Sequence, residues 1–212
     1  ALEQIRTCVC YACTNVKITA SYAGLSDFKD GATHYSITDL ANVRALPGMT
    51  VIVPADAAEA AAWVPLVAEF DGPVYLRLSR AGALPVYQAG SPLQIGKGLT
   101  LRPGRDLTLV ATGSMVGRCA AAAEQLSAQG IDARLLEIHT LKPLDRDLLL
   151  EAAEETGALV TAEEHTIIGG LGSAVAETLA EGRPAQLERS GIRDHFFPTV
   201  RDLDKLMDAC GV

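Results

Sequence analysis

Asp30 and His34 stand four residues apart in the run Lys29-Asp30-Gly31-Ala32-Thr33-His34. A carboxylate and an imidazole at that spacing can both face one small polar ligand, the first accepting hydrogen bonds and the second exchanging a proton near neutral pH. On spacing alone the plainer reading comes first, with Asp30 and Thr33 as turn and cap residues and His34 as a polar first-turn residue. Arg80 closes the run Val74 to Arg80, and its planar fork suits phosphate oxygens, although an exposed strand-end cation would look the same. Other groups are weaker. Cys8, Cys10 and Cys13 lie close together, but no fourth ligand follows at metal spacing and the apolar setting suits core thiols. His139 and His165 lack a partner at ligand spacing and read as loop or surface residues. Glu163 and Glu164 are neighbours on a strand, so they point to opposite faces and do not form an acid/base pair. Gly169-Gly170-Leu171-Gly172-Ser173 departs from the dinucleotide-binding pattern and reads as a tight strand-to-helix passage. No metal site is expected in this chain.

The elements around Asp30 and His34 follow from periodicity. Asn15 to Ala20 alternates as a half-buried strand, and Ile37, Leu40, Ala41 and Val43 share a helical face, so the loop between them leaves a strand end and enters a helix. That is where α/β proteins usually hold ligands. Ala1 to Cys10 reads as a helix already under way. Thr50 to Val53 is a buried strand. Asp56 caps a helix to Phe70, which Pro65 should kink or split. Residues 81–106 are rich in Gly and Pro and form a connection, with a hairpin through Leu93 to Ile95 and Leu99 to Leu101. A second series then begins: a strand from Leu107, a helix from Met115 capped by Ser114, a strand from Ala133 to Ile138, a helix capped by Asp145 and ended by Gly157, a strand from Ala158 to Ala162, a helix from Ala174 to Glu181 and a last helix from Asp202 to Ala209. The fold class is α/β: two consecutive units, each a mainly parallel sheet flanked by helices, the first incomplete at its N-terminus.

Composition narrows the function. With 49% hydrophobic residues in 212, the chain is globular and can bury one large core or two modest ones. A formal charge of −8 argues against a nucleic-acid partner. The apolar runs are too short to span a bilayer and no signal segment opens the chain, so no membrane role and a cytoplasmic location are expected.

The residues Ala23-Gly24-Leu25, Asp30 to His34, Arg44-Ala45-Leu46-Pro47-Gly48-Met49-Thr50-Val51 and Pro54-Ala55-Asp56 resemble the second half of the pyrimidine-binding domain of the thiamine-diphosphate-dependent transketolase family. Residues 107–212, with Leu141-Lys142-Pro143-Leu144-Asp145 and Glu163-Glu164-His165, resemble that family's C-terminal domain. The division implied is a partial pyrimidine-binding domain at 1–80, a linker at 81–106 and a C-terminal domain at 107–212, as in the C-terminal subunit of a split transketolase.

The resemblance implies transfer of a two-carbon ketol unit from a ketose to an aldose. Asp30 would hydrogen-bond a sugar hydroxyl and His34 would lie beside the reacting carbons. Arg80, in Leu78-Ser79-Arg80, would bind the sugar phosphate. Tyr22 stands where the family usually has a His that shares this grip, so phosphate recognition would fall mostly on Arg80. Thiamine diphosphate and its Mg²⁺ or Ca²⁺ are held in this family by a Gly-Asp-Gly and Asn motif absent here, and the activating Glu and stacking aromatics lie upstream. Cofactor binding is therefore expected in an N-terminal subunit or domain, within a homodimer or an α2β2 assembly, and this chain alone should be inactive. Alternatives are a β-subunit-like component of a 2-oxoacid dehydrogenase, a deoxyxylulose-phosphate synthase-like enzyme, and a non-catalytic assembly module.

Overall fold

The computed structural model describes residues 1–197 and 200–212. A short helix α1 (Leu2–Gln4) continues without a break as a π-helical segment, Ile5–Tyr11. The first unit then contributes β1 (Lys17–Ala20), α2 (Asp39–Arg44), β2 (Thr50–Ile52), α3 (Ala57–Glu69) and β3 (Val74–Arg77). The second contributes β4 (Leu99–Arg102), β5 (Leu107–Ala111), α4 (Met115–Ala128), β6 (Ala133–Glu137), β7 (Thr140–Lys142), α5 (Arg146–Thr156), β8 (Ala158–Thr166), α6 (Leu171–Glu181), β9 (Gln186–Ile192) and α7 (Leu203–Cys210).

Two mainly parallel sheets result, as the alternation of strands and helices predicts. The first has the order β1-β3-β2-β7, with β7 antiparallel to β2; the second has the order β4-β6-β5-β8-β9, with β4 antiparallel to β6. One of the two exceptions joins the units. β7 comes from the second half of the chain yet closes the first sheet, and Val53 N–H donates to His139 O at 2.8 Å beside it. One apolar cluster accordingly runs through both, from Val51, Val53 and Tyr75 to Val110, Leu136, Leu149 and Leu159.

Several local expectations hold for the reasons given. Asp56 accepts from Glu59 N at 2.9 Å and Asp145 from Leu148 N at 3.4 Å, while Gly157 turns the chain out of α5 with φ +70°. Others need correction. Ser114 does not cap α4; its hydroxyl donates to Glu164 instead. Pro65 does not split α3, because it sits on the exposed face where the carbonyl it leaves unpaired can meet water. No hairpin forms in the connection, since Leu99–Arg102 pairs with β6. Of the three N-terminal cysteines only Cys10 is buried. No helix among the described residues is long and apolar enough to cross a membrane.

Candidate active-site region

Because β1 and β3 are parallel neighbours, their C-terminal ends open on the same edge of the first sheet. The pairing continues past the strands: Leu78 N donates to Ala20 O at 2.7 Å and Ala23 N to Leu78 O at 3.1 Å. This holds Tyr22 beside Arg80. The Arg80 guanidinium lies over the Tyr22 ring, 5.0 Å from its centroid, and Nη1 donates to Asp27 Oδ1 at 2.7 Å. Asp27 is buried, whereas the Arg80 side chain is 53% exposed. Nη1 is the only one of Arg80's donors with a partner among the described residues, so most of the fork is available to an anion.

The loop of residues 21–38 is fixed at both ends by buried groups. At its start, Leu25 N donates to Glu164 Oε1 at 2.6 Å. Gly24, with φ +62°, faces the same carboxyl so closely that a Cβ would lie 2.5 Å from Oε1, so any side chain there would be strained and would push the Glu164 carboxyl aside. At its end, Arg77 donates to both oxygens of Asp39, from Nε at 2.7 Å and from Nη2 at 3.0 Å, and reaches Ser36 O and Glu164 O. Tyr75 adds a hydroxyl to Asp39 at 2.8 Å. Burial works against the Asp39 charge, but Arg77 more than offsets it and holds the carboxyl below its ordinary range.

Between these anchors the loop is open. Asp30 N donates to Asp27 O at 3.1 Å, Gly31 takes φ +89°, and Ala32–His34 forms a single 3₁₀ turn closed by His34 N to Gly31 O. Thr33 therefore does not cap the following helix; its hydroxyl lies 3.1 Å from His34 Nδ1. Asp30 and His34 are both exposed. The loop thus carries Tyr22, Asp27, Asp30 and His34 beyond one sheet edge, with Arg80 arriving from β3. A pocket of about 170 Å³ lies between Asp27, Lys29 and Arg80, and a larger one of about 420 Å³ on the far side of Arg80 is floored by Arg77, Asp56 and Ser114. Asp30 and His34 line neither.

Sequence reasoning missed Asp27, Arg77, Asp39 and Glu164, which hold the site's frame. All four gain meaning only through contacts distant in sequence. His139 lies in the connection between β6 and β7 and His165 in β8, and neither is a surface residue. Both are fully buried and held near pKa 4 by burial, hence neutral at pH 7. His165 Nδ1 donates to Thr166 O at 2.7 Å, which leaves Nε2 to accept from Ala41 N at 3.4 Å. Glu163 and Glu164 diverge as their strand positions require: Glu163 accepts from Leu171 N and Gly172 N at the start of α6, and Glu164 turns to Leu25 and Ser114.

Residues 1–83 match the family profile of the transketolase pyrimidine-binding domain and residues 96–209 that of the transketolase C-terminal domain. The chain is 45% identical over 194 residues to the 6-deoxy-6-sulfo-D-fructose transketolase subunit SqwH of Clostridium sp. (strain MSTE9), covering 92% of this chain and 60% of that protein. It is 40% identical over 195 residues to one subunit of the apulose-4-phosphate transketolase of Phocaeicola vulgatus, covering 92% and 62%. A split-gene transketolase solved as an inactive β4 tetramer superposes with a TM-score of 0.92 at 46% identity, covering 100% of this chain and 67% of that one. The chain spans about 60% of the length of these curated relatives. It belongs to the transketolase family, whose pyrimidine-binding and C-terminal portions its two sheets represent.

Proposed function

We propose that this chain is the C-terminal part of a thiamine-diphosphate-dependent transketolase that moves a two-carbon ketol unit from a ketose to an aldose, working with an N-terminal subunit or domain in a cytoplasmic homodimer or α2β2 assembly. The observation that carries this reading is the pair of consecutive family matches, together with relatives named as transketolase subunits. On this reading, residues 1–80 are the partial pyrimidine-binding domain, 81–106 the connection and 107–212 the C-terminal domain.

The chain's own chemistry is recognition of the sugar. Arg80, stacked on Tyr22, grips the anionic end of the substrate, a phosphate or a group of similar charge. Asp27 orients the guanidinium from one side and leaves the other donors free. Asp30 accepts a hydrogen bond from a substrate hydroxyl. His34 gives a proton to, or takes one from, the oxygen on the carbon next to the C–C bond that breaks or forms. Tyr22 contributes packing against Arg80 rather than a second cation.

The Gly-Asp-Gly run that holds the cofactor's diphosphate and metal in the family is not in this sequence. On this reading, thiamine diphosphate and its Mg²⁺ or Ca²⁺ are held mainly by the N-terminal partner. The test is reconstitution: the purified chain should give no ketol transfer by itself, and adding the N-terminal partner with cofactor should produce transfer that depends on an acceptor aldose. Activity of the chain alone, or lipoyl reduction in place of aldose dependence, would refute the reading.

A further inference from the structure

Away from this region, a cavity of about 580 Å³ lies between β4, α4, β6 and the loop of residues 86–92. Its shape is set in advance, because Asp56 Oδ2 accepts from Val86 N at 2.7 Å and Tyr87 N at 2.9 Å and so fixes the loop. Leu101, Leu135 and Ala120 give it an apolar wall, and Arg102 and Glu124, paired at 2.6 Å, also line it.

Glu137 also lines this cavity, although the residue is 1% exposed. The carboxyl of Glu59 of α3 acts on it at short range, and among the described residues no N–H or hydroxyl reaches Glu137 Oε1. Glu59 is engaged otherwise: it accepts from Ala55 N at 2.5 Å and from Trp63 Nε1 at 2.8 Å. The charges acting on Glu137 are those of Glu59 and Asp56, both negative, and together with burial they push its pKa far up. Glu137 thus keeps its proton at neutral pH, and among the described residues no cation is paired with it. Arg102 is bound outward to the exposed Glu124.

We propose that this cavity binds an organic monocation, a primary ammonium group seated on Glu137 with its short apolar body along Leu101, Leu135 and Ala120. Binding ionises Glu137, and its proton leaves to solvent as the ammonium takes its place. The inference is independent of the ketol-transfer reading, since neither the sugar contacts nor the cofactor enters it.

The chain contains a single tryptophan, and that residue donates to Glu59, so its fluorescence reports on the pair. Titrating the full chain with n-butylammonium at neutral pH should change Trp63 emission saturably. Equal concentrations of butanol, butyrate or KCl should change it at least fivefold less. Calorimetry in two buffers of different ionisation enthalpy should show about one proton released per ammonium bound. Glu137→Gln, isosteric with the protonated acid, should raise the midpoint tenfold or more while circular dichroism stays native. Ala120→Leu, which fills the cavity without touching the carboxyls, should do the same. Equal responses to KCl or butanol, no proton release, or unchanged midpoints in the folded variants would overturn the assignment.

Discussion

The passage from β1 to α2 and the passage from β8 to α6 both leave the C-terminal end of a parallel strand and enter a helix, and both are rich in polar residues. In the second, those residues face inward. Glu163 meets the first amides of α6, His165 bonds Thr166 and Ala41, and a Cβ on Gly170 would lie 1.9 Å from Glu163 Oε2. In the first, buried bonds anchor the ends, between Glu164 and Leu25 and between Arg77 and Asp39, and another holds Asp27 against Arg80, while Asp30 and His34 remain exposed between them. A polar residue whose bonds are complete holds structure; one left exposed on a fixed frame can bind. The two passages are also connected, since adjacent Glu163 and Glu164 each serve one of them.

The most damaging way to break this division is to remove the shared frame. Arg77→Ala leaves the Asp39 carboxylate largely buried without its cation and frees Ser36 and the Glu164 carbonyl. A loss of about 3–5 kcal/mol in unfolding free energy is expected from urea titration. A loss below 1 kcal/mol would show that Arg77 does not hold the loop.

The inward passage should also be the acid-sensitive one. His165 has a folded pKa of about 4 against an ordinary 6.5, so the unfolded chain binds the proton more tightly. Its contribution is complete above pH 6.5 and is lost as pH falls from 6.5 toward 4, by up to about 3 kcal/mol. Glu163, raised by burial to about 7, works in the opposite sense: its stabilisation is complete below its ordinary 4.5 and fades as pH rises to 7. The two partly cancel in the wild type, so the difference between variants is the readout. His165→Asn keeps a donor for Thr166 and removes the titration. Its stability should fall less than that of wild type between pH 7 and pH 5, as measured by urea midpoints; parallel curves would show that His165 titrates as an exposed histidine.

How much of this was legible beforehand depended on whether the signal was local. Asp56, Asp145 and Gly157 could be read because a cap acts within three or four residues of itself. The strand-to-helix position of Asp30 and His34 was legible for the same reason. β7 was not: three residues carry no period, and Thr140–Lys142 becomes a strand only by lying against β2. β9 was missed because Gln186–Ile192 has a mixed polar pattern suited to a sheet edge. His139 and His165 misled because burying a neutral imidazole depends on partners that spacing cannot reveal.

On the open passage, Arg80→Ala should act more on binding than on folding. The Arg80 side chain is half exposed, but the buried Asp27 loses its partner, so stability should fall by about 1–3 kcal/mol, less than for Arg77→Ala. In the reconstituted enzyme, KM for an anionic sugar should rise by roughly 10- to 100-fold, the worth of one or two charge-assisted hydrogen bonds, with little change in kcat. An unchanged KM would remove Arg80 from the substrate site.

The smallest expected effect on the fold is the sharpest test of the comparison. Asp30 and His34 are exposed, and among the described residues the side chains of their 3₁₀ turn make one hydrogen bond, between Thr33 and His34. Asp30→Ala and His34→Ala should therefore leave the urea midpoint within the span of about ±0.5 kcal/mol typical of surface changes. If His34 exchanges a proton at the reacting centre, its removal should lower kcat of the reconstituted enzyme by about 10²-fold or more. If Asp30 only holds a substrate hydroxyl, its removal should act on kcat/KM by about tenfold. An unfolding loss for either variant comparable to that of Arg77→Ala would mean that the loop's centre is structural like its ends. Native stability with undiminished turnover would leave the exposed pair without a role in catalysis, and the difference between the two passages would then reflect solvent exposure alone.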